Sequence, residues 1–335
     1  MWLLHGRELC GGCRQKERGR YTGMEKMDGL KRKAGIRPGM ELSRKNGAEY
    51  LTFPAISETG LVSHMMTMRA GGVSEGDLWS MNLSFSRGDR RENVEENFRR
   101  AAALLGCGPE DIVCSDQTHT TNIRRVTAAD RGKGVVRPKD FSDVDGLITD
   151  EPGIALATFY ADCVPLLFLD PVRRAVGLSH SGWRGTAKGM AARTAEAMHE
   201  AFGSRPQDLL VGIGPSICRD CYEVSKDVAD AFQRLFSEAD FQNLSIRLTD
   251  VLFAKGNGKY QLDLWKANEA VCLSAGILPQ HISMTDVCTC CNPDRLFSHR
   301  ASGGKRGNLG MFVMLKKGSA RQITPPVSRN GGCWK

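Results

Sequence analysis

Residues 154–186 read IALATFYADCVPLLFLDPVRRAVGLSHSGWRGT. Ile154–Phe159, Val164–Leu169 and Ala175–His180 are three short apolar runs, broken by Tyr160-Ala161-Asp162-Cys163 and by Asp170-Pro171. Runs of this length closed by turn residues read as strands buried on both faces. The third run leads through Ser181-Gly182-Trp183-Arg184-Gly185-Thr186 into a helix expected from about Ala187 to Phe202. Upstream, 50–56 and 61–69 read as strands, the second ending at Arg69-Ala70-Gly71-Gly72. Asn93–Leu105 has the spacing of an amphipathic helix, with Val94, Phe98, Ala101, Leu104 and Leu105 on one face. Asp111–Thr127 reads as strand–turn–strand around Gln117-Thr118-His119, and a Gly- and Lys-containing loop at 131–139 precedes Asp145–Thr149. Downstream, Leu209–Ile213 is a buried strand ending at Gly214-Pro215-Ser216, Ser225 caps a helix to about Phe236, and Leu262–Ala275 is a further helix. Ile282–Met284 and Phe312–Leu315 close the pattern as strands. Helices and strands mix without regular βαβ alternation and without an internal repeat. The expected class is therefore α/β, a single domain with mixed β-sheets and flanking helices, not doubly wound.

The chain has 335 residues, 41% hydrophobic and 25% charged, enough for a sizeable core and unlike a disordered, collagenous or disulfide-scaffold protein. Its formal charge of +8 sits at the ends. Residues 1–48 carry 12 basic and 5 acidic side chains, and 316–335 carry 5 basic and none acidic, which leaves the body slightly acidic. A folded basic groove for nucleic acid is not implied for the catalytic domain. The expected organisation is a basic, disordered leader over 1–48, a catalytic domain over 49–317 and a flexible tail over 318–335. Met24, Met27 and Met40 are equally usable start sites. The apolar opening Met1–Leu4 is too short for a signal peptide and no later stretch suits a bilayer, so the expected location is the cytoplasm.

Twelve cysteines in that setting point to thiols or metal ligands. Cys10/Cys13 and Cys218/Cys221 are CxxC pairs, and Cys288, Cys290 and Cys291 cluster near the C-terminus. A structural zinc site built from two of these sets is one reading, although the gaps depart from zinc-ribbon spacing; free thiols are the other.

His119, Cys163 and His180 fall at the ends of expected strands. Three protein ligands leave a fourth position open, as a catalytic zinc requires, and zinc lowers the pKa of a water held there toward about 7. Hydrogen-bonded core histidines and a small buried cysteine are the plain alternative. Asp162 beside Cys163 could orient a ligating imidazole, serve as acid/base, or cap its own turn. The Gly-rich helix start after His180, with Arg184, suits an anion such as phosphate.

The ordered motifs resemble a known family. They are Gly71–Gly76, Ser80–Leu83, Gln117–His119, Asp145–Thr149, Ala161–Pro165, His180–Gly185, Gly214–Ile217, Cys221–Val224, Cys288-Thr289 and Phe297–Arg300. Over roughly 50–315 the chain is similar to the YfiH or DUF152 family, also described as laccase-domain or multicopper polyphenol oxidase and, more recently, as purine nucleoside phosphorylase. The resemblance implies a zinc site on His119, Cys163 and His180. It also implies phosphorolysis of adenosine, inosine, guanosine and methylthioadenosine, with adenosine deamination in the same pocket. Thr118 stands where Val is usual, Thr120 where Gly is common and Ser181 where Ala is usual; none of these is a ligand.

On this reading the partners are purine nucleosides and phosphate, without nucleic acid or membrane. Asp162 is the nearest acid/base, Arg184 with Arg69 clamps phosphate, Asn82 binds a base or ribose edge, and Arg300 is a further substrate contact. Three other readings stay open. One is a copper polyphenol oxidase, since His₂Cys also suits copper, although none of the seven histidines forms an HxH pair. Another is a hydrolase with Cys163 as nucleophile and His119 or His180 as base, editing peptidoglycan precursors. The last is a non-catalytic interaction module.

Overall fold

The computed structural model describes residues 29–36, 38–242 and 244–318. Among the described residues fifteen strands form three sheets. The first has the spatial order β1 (Glu41–Lys45), β2 (Ala48–Thr52), β3 (Val62–Thr67), β15 (Leu309–Leu315), β7 (Ala155–Tyr160) and β4 (Ile112–Cys114). The second runs β14 (Ile282–Met284), β10 (Leu210–Ile213), β8 (Val164–Asp170), β9 (Ala175–Ser181), β6 (Gly146–Thr149) and β5 (Ile123–Arg125). A small third sheet joins β11 (Glu223–Val224), β13 (Lys259–Leu262) and β12 (Leu252–Gly256). Most pairs are antiparallel, while β4–β7, β5–β6 and β10–β14 are parallel, so both large sheets are mixed.

The three apolar runs of 154–180 are β7, β8 and β9, and the layering explains why they do not alternate with polar residues. The two large sheets stack face to face. Leu167 and Leu169 of β8 meet Leu156 of β7 and Val313 and Leu315 of β15 in this inner layer. The opposite face of β8, Leu166 and Phe168, packs under Met190, Ala191 and Met198 of the helix Met190–Phe202. The outer face of the first sheet, with Ala157 and Phe312, is covered by Val94, Phe98 and Ala101 of the helix Arg91–Leu105. Four layers thus bury both faces of each central strand. The polar groups of the inner layer are paired: the Tyr160 hydroxyl donates to Ser179 O (3.0 Å) and lies 2.6 Å from Thr158 Oγ1.

Several expected boundaries move. The strand expected over 50–56 stops at Thr52, because Pro54 lacks a ladder donor and opens a short helix, Pro54–Ser57. The helix expected over 187–202 is two, Trp183–Ala187 and Met190–Phe202, separated at Gly189, whose φ of 75° is left-handed. Within the range expected as a leader, residues 41–45 form β1, which pairs with β2 through Lys45 opposite Ala48. Leu30 and Met40 are buried, and Arg32 reaches Asp286 at 2.7 Å. That segment alternates too few apolar residues to announce itself as a strand. Residues 1–28 and 319–335, with Cys10/Cys13 and nearly all of the expected tail, lie outside the described residues. Among the described residues no helix is long and apolar enough to cross a membrane.

Candidate functional site

Strand register assembles the site. In the β8–β9 pair Val164 opposes Ser181 and Pro165 opposes His180, so Cys163, one residue before β8, comes to the end of β9. In the β6–β9 pair Gly146 opposes Ser179, and His180 N donates to Asp145 O (2.8 Å), which sets Asp145 beside His180. His119 arrives on the loop between β4 and β5. Gln117 fastens that loop to β7 by donating to Phe159 O and accepting from Phe159 N, both at 2.7 Å. One ligand atom from each of His119, Cys163 and His180 lies within 4.8 Å of the others. Cys163 Sγ is 3.8 Å from His119 Nε2, and the two imidazole rings meet edge-on at 4.9 Å. His180 is buried, Cys163 half-buried and His119 exposed, so the trio opens to solvent past His119.

Asp145, wholly buried, is the organiser. Its Oδ1 accepts from His119 N (3.1 Å) and faces His180 Nδ1 at 2.7 Å. Its Oδ2 accepts from Thr118 N (2.9 Å), Thr120 N (3.0 Å) and Thr120 Oγ1 (3.1 Å). These bonds hold the loop in the turn that gives His119 a φ of 69°. They also commit the Nδ1 proton of His180 and leave the Nε2 lone pair free to ligate, the arrangement of metal-ligating histidines. Burial alone would raise the Asp145 carboxyl, but the bonds from His180 and the loop amides outweigh it and hold it at about 2. Burial likewise pushes the Cys163 thiol up, and the adjacent His180 and His119 pull it down to about 6. His180, lowered by burial, is carried up to about 9 by Cys163 and Asp145. A thiolate and a cationic partner stabilise each other here, and the sulfur and two ring nitrogens suit a thiophilic transition-metal ion. Gly182 is required by packing: a Cβ there would lie 2.9 Å from His119 Cδ2 and 3.1 Å from Cys163 Sγ.

The other expected residues divide into two groups. Asp162, at a left-handed φ of 90°, sits beside the trio; its Oδ1 accepts from Thr289 Oγ1 (2.6 Å) and its Oδ2 from Arg300 N (2.7 Å). The Arg300 guanidinium donates to Cys221 O and Glu223 O, both at 3.1 Å, and packs on Tyr222. Arg184 is exposed against Trp183 on the five-residue helix Trp183–Ala187. Arg69 and Asn82 are engaged elsewhere. Arg69 donates to Trp79 O and Pro293 O at 2.7 Å. Asn82 is fully buried, with its amide bonded to Ser84, Asp89 and Asn308.

Three neighbours were not singled out from the sequence. The carboxylate facing the His180 imidazole is Asp145, for which a buried Asp opening an apolar run was the available signal. Tyr222 lies within electrostatic reach of Cys163, Asp162, Arg184 and Arg300; burial and the nearby negative charges raise its phenol. Arg306 is lowered to about 10 by burial and by Arg87, against the opposing pull of Asp162 and Cys163. Its buried Nε has no hydrogen-bond partner among the described residues.

A family model described as multi-copper polyphenol oxidoreductase laccase matches residues 63–316. The chain is 38% identical over 252 residues to a protein of Geobacillus stearothermophilus named purine nucleoside phosphorylase YlmD, covering 74% of this chain and 88% of that one. It is 34% identical over 268 residues to a purine nucleoside phosphorylase of Bacteroides thetaiotaomicron, covering 80% and 96%. The crystal structure of a Bacillus licheniformis protein titled hypothetical protein YfiH superimposes with a TM-score of 0.74 at 33% identity, covering 82% of this chain and 99% of that one. The chain therefore belongs to the laccase-domain family, also called YfiH or DUF152, that its motif order resembles.

Proposed function

We propose that the protein is a zinc-dependent purine nucleoside phosphorylase acting on adenosine, inosine, guanosine and methylthioadenosine, and that it deaminates adenosine in the same pocket. The observation that carries the reading is the convergence of His119, Cys163 and His180 with Asp145 behind His180. The relatives' names supply the substrate class. The proposed ligands are Cys163 Sγ and one ring nitrogen each of His119 and His180, and zinc held there supplies Lewis acidity.

In phosphorolysis a phosphate oxygen bonds to ribose C1′ as the bond from C1′ to the purine nitrogen breaks, and the departing purine gains a proton. Arg184 and Arg300 share the reach of Tyr222 with Asp162 and Cys163, Arg306 feels both Asp162 and Cys163, and its Nε, unpartnered among the described residues, is a donor suited to a phosphate oxygen. Asp162 is the acid/base we assign: each carboxylate oxygen keeps a lone pair beyond its bonds to Thr289 and Arg300. In deamination water adds at C6 and ammonia leaves, with Asp162 again moving the proton. We assign Arg69 and Asn82 to shaping the loop of 69–84, in keeping with their bonds to it. The copper-oxidase reading gains no support, since among the described residues the His119–Cys163–His180 trio is the only histidine-containing group arranged to hold a metal.

The test supplies purified protein with adenosine, with and without phosphate, and measures adenine and inosine. Phosphate-dependent adenine release, inosine formation in either case, and loss of both in Cys163→Ala are expected. No turnover by the wild type, or full turnover by Cys163→Ala, overturns the proposal.

A further inference from the structure

A second cluster of soft ligands lies outside the trio. Cys218 and Cys221 follow β10, while Cys288 and Cys291 follow β14. The parallel β10–β14 pairing continues past both strands through a bridge between Ser216 and Cys288, where Thr289 N donates to Ser216 O (3.1 Å). Two C-x-x-C turns far apart in sequence are thereby laid side by side. Their four sulfurs all lie within 4.8 Å of one another; Cys291 Sγ is 3.5 Å from Cys221 Sγ and 4.0 Å from Cys218 Sγ. Zinc–sulfur bonds of about 2.3 Å put the sulfurs of a regular tetrahedron about 3.8 Å apart. A disulfide needs sulfurs about 2.05 Å apart. Two backbone amides, Cys218 N (3.2 Å) and Cys291 N (3.4 Å), donate to Cys288 Sγ, which suits a thiolate acceptor. Cys290, in the same segment, stands outside the four.

We propose that Cys218, Cys221, Cys288 and Cys291 bind one zinc ion as four thiolates, a closed structural site that braces the wall of the neighbouring active site. Binding releases the thiol protons to solvent as four sulfur–zinc bonds form. Four protein ligands leave no open position, so the site is structural. The bracing is direct. Thr289, between two ligands, donates to Asp162 Oδ1; Ile217 N, next to Cys218, donates to Asp162 O (3.0 Å); and Arg300 donates to Cys221 O. Opening the cluster frees the turn that carries Asp162 into Cys163.

The four-cysteine site does not depend on the purine reading; only the expected total of two zinc ions rests on the trio of the proposed function, and the difference between wild type and Cys291→Ser tests the cluster alone. Metal content of the full chain is measured by plasma mass spectrometry for the wild type and single variants. Two zinc equivalents are expected in the wild type and in Cys290→Ser, and one each in Cys163→Ala and Cys291→Ser. Retention of the wild-type content by Cys291→Ser overturns the site. To keep the test decisive if Cys291→Ser does not fold, Cys163→Ala, which leaves the four cysteines intact, is also loaded with cobalt(II) alone. Intense thiolate-to-cobalt charge-transfer absorption is expected. Its absence, or recovery of the four cysteines as disulfides from freshly purified wild type, overturns the proposal.

Discussion

Asp145→Asn is the perturbation that separates a metal-organising carboxylate from a structural one. The native carboxylate receives five donors, two on Oδ1 and three on Oδ2. An asparagine offers one oxygen and one NH₂, so either amide orientation turns a donor toward donors. With NH₂ in the Oδ1 position it confronts His119 N–H and the His180 Nδ1 proton. His180 then reverses its tautomer, placing a proton on the nitrogen that should face the metal. With NH₂ in the Oδ2 position, Thr118 N–H, Thr120 N–H and the Thr120 hydroxyl lose their acceptor, and the turn carrying His119 loosens. A buried donor left unsatisfied costs about 1–3 kcal/mol. The metal-free protein should therefore lose about 1–6 kcal/mol, counting one or two such groups. Loss of an outer-shell partner to a ligating histidine weakens metal binding roughly 10–100-fold. Urea unfolding of the metal-free protein reads the first quantity, and competition with a zinc chelator reads the second. Zinc affinity within twofold of wild type, in a variant with a normal circular dichroism spectrum, refutes the role of Asp145 in setting the His180 tautomer.

Gly182→Ala should keep the fold yet lower metal affinity more than tenfold, because its Cβ would lie 2.9 Å from His119 Cδ2; chelator competition checks this. His64 is buried, accepts from Phe53 N (2.8 Å) and is lowered to about 4, mainly by burial and also by Lys316. Its folded value lies below its ordinary 6.5, so stability is fully present above pH 6.5 and falls, by about 3 kcal/mol, as the pH drops toward 4. His64→Gln, which keeps an acceptor for Phe53, should flatten that slope in denaturant titrations at several pH values. Leu167→Ala, wholly buried between the large sheets, should lower stability by about 2–5 kcal/mol in urea unfolding. Arg306→Gln should raise the KM for phosphate more than that for nucleoside; equal changes in both would remove Arg306 from the phosphate site.

The architecture was legible where strands are buried on both faces, because β7, β8, β9 and β10 appear as unbroken apolar runs. It was illegible where pairing is carried by half-exposed residues. β1 reads Glu41-Leu42-Ser43-Arg44-Lys45, a sequence that suits a solvated arm, and only its partner β2 makes it a strand. The trio was legible as candidates because His119, Cys163 and His180 stand at the ends of apolar runs. Asp145 was not, since its five donors come from loop amides, a hydroxyl and a ring nitrogen that no local pattern joins to it. The four-cysteine cluster was half legible: both C-x-x-C turns are visible, yet their adjacency depends on the parallel β10–β14 pairing, a contact between distant segments. Arg69 and Asn82 show the converse. Their residue types suggest substrate contacts, but their hydrogen bonds run to neighbouring backbone and side chains.

Whether the His119–Cys163–His180 trio holds the ion that drives nucleoside cleavage is read most directly by one paired measurement. Zinc content and phosphate-dependent adenine release from adenosine are determined on the same preparations of wild type and Cys163→Ala. Loss of one zinc equivalent together with loss of adenine release is the predicted result. Full zinc content or undiminished adenine release in Cys163→Ala contradicts it.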